Sequence, residues 1–189
     1  MQSPTKTGAA GATPAQLAMQ DALIRLYVSE DIRGLSVTAF CRRVPVARTT
    51  FYAYYGNLDD LLAEVEDRYI AQLRALNDGL AAEDPAQFSD EDYLRRMLDY
   101  LAHNRALFYA LLVQQPDVRF LEKWKEAIRC HFRSLLFRDH HSENEAMILD
   151  VAANVAIGTY TFWLKNPHEF DVERFNALLA SVLRMNRLM

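Results

Sequence analysis

The sequence predicts an all-α protein of about nine helices: an N-terminal three-helix helix-turn-helix domain followed by a C-terminal helical bundle. Three observations lead there. Apolar residues recur at helical spacing through most of the chain, and no segment sustains an alternation of period two. Only six glycines and six prolines serve 189 positions, too few for an architecture of many strands and turns. Capping signals stand immediately before several of the apolar stripes.

Residues 1–12, small and polar around Pro4, Gly8 and Gly11, read as a disordered lead-in. Thr13-Pro14-Ala15-Gln16 starts the first helix, with Thr13 as N-cap, Pro14 in the first turn and Gln16 closing a capping box. Leu17, Leu23, Ile24, Leu26 and Tyr27 form its stripe, which ends at Ser29-Glu30-Asp31 and Gly34. Ser36 caps a short second helix over roughly 36–43, and Val44-Pro45-Val46 breaks it, since the residue before a proline is disfavoured in helix. A third short helix covers about 47–53. Asn57 caps a long fourth helix with Leu61, Leu62, Val65, Tyr69, Leu73 and Leu76 on one side. The expected domains are 13–57, which holds the helix-turn-helix, and 58–189, of which 58–82 is a linking helix.

Gly79 and Ala81 to Pro85 interrupt the pattern. Ser89-x-x-Asp92 opens a helix carrying Leu94, Met97, Leu98 and Leu101, and 104–113 reads as a short helix with Leu107, Phe108 and Leu111. Pro116-Asp117 starts the next, where Phe120, Trp124, Ile128, Phe132 and Leu135 keep a strict stripe. Ser142-x-x-Glu145 is a further capping box, and the helix behind it is apolar nearly all round until Asn166-Pro167 stops it. The last helix, about 171–186, carries Phe175, Leu178, Leu179, Val182 and Leu183 on one face.

Half of the residues are hydrophobic and a quarter charged, as in a globular protein. Two cysteines, Cys41 and Cys130, are too few for a disulfide framework and suit a reducing compartment; both are expected to be small buried hydrophobes. The N-terminus has no apolar segment of the secretory kind, and the longest uncharged apolar run, Val151–Leu164, has 14 residues where a membrane span needs ~20. A cytoplasmic protein with no membrane association is expected. The net charge of −4 hides an asymmetry. Residues 32–58 carry Arg33, Arg42, Arg43 and Arg48 and no acid, so that segment is +4, and the rest, 17 basic residues against 25 acidic, is −8. A basic stripe on an acidic body fits a reader of DNA with a separate second domain.

In the third short helix, Phe51 and Tyr55 lie four apart and share a face that can lock onto a core, as Phe40, Val44 and Val46 can from the second helix and the turn. That leaves Arg48, Thr49, Thr50, Tyr52 and Tyr54 outward. Arginine can bridge guanine O6 and N7, threonine can bond a base or touch a thymine methyl, and tyrosine hydroxyls suit phosphates.

From Gly34-Leu35-Ser36-Val37-Thr38-Ala39-Phe40-Cys41 through Arg48-Thr49-Thr50-Phe51-Tyr52-Ala53-Tyr54-Tyr55 to Leu61-Leu62, the chain resembles the TetR family of bacterial transcriptional regulators. The resemblance covers about residues 14–65, a third of the chain. It implies an all-α homodimer with an N-terminal DNA-binding domain and a C-terminal ligand-binding and dimerisation domain. It places Ser36 and Thr38 against DNA from the start of the second helix, Arg48, Thr49 and Thr50 on bases, and Tyr52 and Tyr54 on phosphates. Three positions depart from the family's pattern: Pro45 replaces the turn glycine, Ala47 the polar cap and Leu58 a phosphate-binding lysine. The last lowers affinity and the salt slope by about one phosphate contact per monomer. The amides at the start of the fourth helix are expected to hold a phosphate through the helix dipole instead. The C-terminal half resembles the dihydroxyacetone-kinase operon regulator branch of that family, through Tyr100-Leu101-x-x-Asn104-Arg105-x-Leu107-Phe108 and Phe162-Trp163-Leu164. That branch includes members that answer to a partner protein.

Phe108, Tyr109, Leu112, Trp124, Ile128, His131, Phe132, Tyr160 and Trp163 can line an effector pocket, although each alone is more often core. His131 and His140-His141 lack the spacing of a metal site, and no cofactor is expected. Glu122, Lys123, Lys125 and Glu126 alternate in sign as a solvated helix face does. There is no phosphate loop, nucleophile elbow or placed carboxylate pair, so no enzyme is expected. The last two helices carry more apolar surface than one monomer buries, and Ile148, Val151, Val155, Phe175, Leu179 and Val182 are the expected homodimer interface.

The expected function is a homodimeric repressor that binds a pseudo-palindromic operator in double-stranded DNA and is released by an effector. Two alternatives stay open: the same fold controlled by a partner protein, and a helical interaction module with degenerate DNA binding.

Overall fold

The computed structural model describes residues 12–81, 90–137 and 142–168, and no strand occurs among them. Eight α-helices follow in order: α1 (Pro14–Ser29), α2 (Val37–Arg43), α3 (Arg48–Tyr54), α4 (Leu58–Ala81), α5 (Asp90–His103), α6 (Arg105–Tyr109), α7 (Val118–Leu136) and α8 (Glu145–Lys165). A π-helical turn, Ala110–Gln114, continues α6. The chain divides into two compact units, Met1–Val65 and Glu66–Met189.

In the N-terminal unit the capping box at Thr13 forms: Thr13 Oγ1 accepts from the Gln16 amide at 3.3 Å and Gln16 Oε1 accepts from the Thr13 amide at 3.1 Å. Gly34 takes the left-handed conformation (φ 79°) in the turn before α2, which only a residue without Cβ adopts cheaply. Ser36 Oγ caps α2 by accepting from the Ala39 amide at 3.1 Å. Asn57 Oδ1 caps α4, accepting from the Asp60 amide at 2.9 Å. Met19, Leu23, Phe40, Phe51 and Leu61 are fully buried. This unit runs past Asn57 because the start of α4 belongs to its core: Leu61, Leu62 and Val65 are buried, and Gln16 and Gln20 donate to Glu64 Oε1 at 3.2 and 3.1 Å.

In the C-terminal unit, α6 and α7 pack on α8. Leu149, Ala153, Ala156, Tyr160 and Leu164 form the buried stripe of α8, and its alanines let the neighbouring helices approach closely. Arg105 Nη2 donates to the Leu164 carbonyl at 2.7 Å, satisfying one of the acceptors exposed at that helix end. By length and composition α8 is long and apolar enough to cross a membrane, and its buried stripe packs as a core helix does.

Asp117 starts α7 as read from sequence, accepting from the amides of Arg119 and Phe120 at 2.9 and 3.1 Å. The capping box at Ser142 does not form. Asn144 is the N-cap without a side-chain bond, Ser142 Oγ accepts from the Asn144 amide at 3.2 Å, and the Glu145 carboxylate is taken by Arg133 Nε at 2.8 Å. The single short helix over 104–113 is α6 plus the π turn; Pro116 cannot continue a helix, and Gln115 before it leaves helical geometry (φ −134°, ψ 70°). The lead-in over 1–11, Ser89, His140-His141 and the helix over about 171–186 lie outside the described residues.

Candidate nucleic-acid interface

Helices α2 and α3 are joined by Val44–Ala47, with Val46 N donating to Val44 O at 2.7 Å around Pro45. That is a tight three-residue turn whose central φ a proline supplies ready-made, so Pro45 serves where a glycine is usual. Phe40 of α2 meets Phe51 of α3 edge-on with ring centroids 5.9 Å apart, and Tyr55 packs on Phe51 at 5.7 Å. All three are buried, and burial pushes the Tyr55 hydroxyl up to about 12.

With Phe51 inward, α3 turns Arg48, Thr49, Thr50 and Tyr52 to solvent. Tyr54 is half-buried against Tyr55, at 6.4 Å. Ser36 is exposed and Thr38 half-buried at the start of α2. The Arg48 guanidinium lies over the Tyr52 ring, 5.9 Å from its centroid. Ala47 gives α3 no side-chain cap.

The basic stripe is weaker than its count. Arg33 is paired with Asp31 and Arg43 with Glu30, acids that stand just outside the segment read as free of them. The Arg33 side chain beside Asp31 holds its carboxyl down at about 2. The start of α4 does not replace the missing lysine either. Its first turn carries Asp59 and Asp60, and the Asp60 amide is already bonded to Asn57, so a phosphate meets two carboxylates there. Leu58 is half-buried.

The residues expected to line an effector pocket are divided. Phe108, Trp124 and Tyr160 are brought together: Phe108 and Trp124 centroids are 5.2 Å apart, and Trp124 stacks on Tyr160 at 5.5 Å with planes 2° apart. Ile128, His131 and Phe132 are buried on α7. Burial pushes the His131 imidazole below its ordinary value, against a smaller opposing effect of Asp78. Leu112 and Trp163 are half-buried, and Tyr109 does not join the cluster: it is exposed, beneath the Arg105 guanidinium at 5.7 Å. A separate open cleft of about 470 Å³ lies between Asp67, Ile70 and Arg74 of α4 and Glu122, Lys123 and Glu126 of α7.

On α8, Val151 is exposed and Ile148 and Val155 half-buried; Met147 and Phe162 are also exposed there, and apolar periodicity beyond the buried stripe is the signal that finds them. Phe175, Leu179 and Val182 lie outside the described residues.

Two surface readings change. Lys123 is no solvated charge: its Nζ lies 2.9 Å from Glu66 and 2.5 Å from Asp67. Cys130 is exposed rather than buried, because it follows Glu126 by one turn on the outer side of α7 and its Sγ lies 3.4 Å from that carboxylate, while Cys41 is half-buried. Partial desolvation, aided at Cys130 by Glu126, pushes both thiols up, away from the reactive thiolate. No cluster of metal-ligating side chains occurs among the described residues.

The chain has no match among curated proteins. Among solved structures, a TetR transcriptional regulator from Streptococcus agalactiae 2603V is 22% identical, with a TM-score of 0.66 over 90% of this chain and 92% of that one. The Bacillus subtilis regulator FadR in complex with stearoyl-CoA is 16% identical, with a TM-score of 0.62 over 89% and 96% of the two chains. The dihydroxyacetone kinase operon activator DhaS is 16% identical, with a TM-score of 0.59 over 93% and 98%. At these identities the likeness is one of fold. The family profile described as a transcriptional regulator C-terminal region of TetR type matches residues 90–184, half of the chain. An all-α chain with this helix pair ahead of that region belongs to the TetR family of transcriptional regulators.

Proposed function

We propose that the protein is a homodimeric, cytoplasmic repressor that binds double-stranded DNA through α3 and releases it when an effector engages the C-terminal unit. The outward side of α3 carries the reading: Arg48, Thr49, Thr50 and Tyr52 are exposed while Phe51 of the same two turns is fully buried. Short hydrogen-bonding side chains around one arginine suit base edges, and Ser36 and Thr38 at the start of α2 suit phosphates. The exposed apolar residues Met147, Val151 and Phe162 of α8 support a two-fold pairing, which would set two copies of α3 on the half-sites of a pseudo-palindrome. The protein acts as a regulator without catalysis. An effector controls it by binding one spacing of the two DNA-binding units better than the other.

One observation favours a second reading, control by a partner protein. Phe108, Trp124 and Tyr160 pack against one another's rings, which is how a filled core looks. The structural relatives include one bound to stearoyl-CoA, so acyl-CoA thioesters are the first small molecules to try as releasing ligands.

The test is fluorescence anisotropy of the full-length protein on the DNA upstream of its own gene, with scrambled DNA beside it, at low and physiological salt. Selective, salt-sensitive binding that is lost in an Arg48→Ala/Thr50→Ala variant supports the proposal. Equal weak binding to both DNAs overturns it and leaves the interaction module.

A further inference from the structure

We propose that Tyr52 is a positioning residue for base reading: its ring, not its hydroxyl, holds Arg48 in place. This rests on the DNA-binding reading above and departs from the phosphate contact that resemblance assigns to Tyr52.

The geometry forms a continuous series. Side chains of a helix lean towards its N-terminus, so Tyr52 lies over the turn that carries Arg48, four residues earlier. The Arg48 guanidinium sits 5.9 Å from the centroid of that ring. The ring in turn stands edge-on to Phe51, centroids 5.6 Å apart and planes at 89°. Phe51 stands edge-on to Phe40 at 5.9 Å, and both are fully buried. The Arg48 guanidinium thus lies over a ring that packs edge-on against the core of the helix pair, although Arg48 is itself exposed.

Stacking uses the face of a guanidinium, while hydrogen bonds to O6 and N7 of a guanine use its edge. Both can be made at once. A free arginine at the start of a helix samples many rotamers and loses them on meeting a base; one held over a ring has lost part of that freedom already. No carboxylate pairs with Arg48 among the described residues, so the ring is what orders it there. Tyrosine and phenylalanine present the same face to a cation, so this role does not need the hydroxyl.

The experiment selects binding sites for the full-length protein from a pool of randomised DNA duplexes. It then measures affinity for the selected site and for its single base-pair variants at two salt concentrations. Arg48→Ala identifies the base pair that Arg48 reads. Tyr52→Phe is expected to keep the wild-type preference at that base pair. Tyr52→Leu, and Tyr52→Gln as a second ring-less variant that an exposed site tolerates, are expected to lower that preference about two- to fivefold. They should leave the other base pairs and the salt slope unchanged, and Arg48→Ala/Tyr52→Leu should match Arg48→Ala. A full preference at that base pair in both ring-less variants overturns the proposal, and uniform weakening by Tyr52→Phe beside it makes Tyr52 a phosphate contact instead. A wild-type protein that selects no sequence overturns the DNA-binding reading and this proposal with it.

Discussion

Arg119 clasps the fully buried carboxylate of Glu66: its Nε and Nη2 lie 2.8–3.0 Å from the two oxygens. Lys123, one turn along α7, adds a third donor at 2.9 Å. An ionised carboxylate without solvent persists only with such partners, because stripping them leaves a buried charge uncompensated. Arg119→Ala is expected to destabilise by about 1–2 kcal/mol with Lys123 still in place. Arg119→Ala/Lys123→Ala should cost about 3–5 kcal/mol, more than the two single changes together. Urea unfolding of the four proteins checks this, and strictly additive small losses would count against a shared buried charge.

His131 makes stability depend on pH. Its folded imidazole titrates below the ordinary 6.5 because it is buried. Below that value the unfolded chain takes up the proton first, so the contribution is complete above pH 6.5 and is lost as pH falls towards the folded value. The loss reaches up to about 1.4 kcal/mol per pH unit in that window. A His131→Gln variant should show a shallower slope between about pH 7.5 and 5.5 in denaturant unfolding. Identical slopes would assign the pH dependence to other groups.

Trp124 separates a filled core from a ligand pocket. Stacked on Tyr160 and packed on Phe108, it should cost about 3–5 kcal/mol when replaced by alanine, and Tyr160→Phe, which keeps the ring, about 1 kcal/mol. Chemical unfolding reads both. A Trp124→Ala loss below about 1 kcal/mol would instead mark its surroundings as empty space open to an effector.

Val151 probes the pairing of two chains. A charge at this exposed position of α8 costs a monomer little but burdens an apolar interface. Light scattering should give a dimer for the wild type and a monomer of unchanged helicity for Val151→Glu. A dimer that tolerates glutamate there would place the interface on another surface.

What could be read from the sequence were the local interactions. The caps at Thr13, Ser36, Asn57 and Asp117 act within three residues, and the inward pair Phe51 and Tyr55 follows from helical spacing alone. Ser142-x-x-Glu145 misled because a residue on another helix, Arg133, competes for the same carboxylate. Arg119 and Glu66 meet across 53 positions, so nothing local distinguished Lys123 and Arg119 from solvated charges. The acids that neutralise Arg33 and Arg43 stood just beyond the window that defined the stripe. A buried aromatic with a polar handle has the same sequence pattern in a core as in a pocket; only the ring-on-ring packing of Trp124 and Tyr160 tells them apart.

On the DNA-binding reading proposed above, the internal pairing of Arg33 and Arg43 also bears on how the protein would search a chromosome. Adhesion to unrelated sequence is electrostatic and scales with the phosphates a protein neutralises. A stripe with two of its four arginines already matched by neighbouring acids, on a chain that is −8 elsewhere, would gain little from anonymous DNA. Its sliding runs would be short and its returns to free solution frequent. Dwell time would then be set mainly by whatever base pairs α3 reads, and occupancy would follow the concentration of active protein without a large reservoir bound elsewhere.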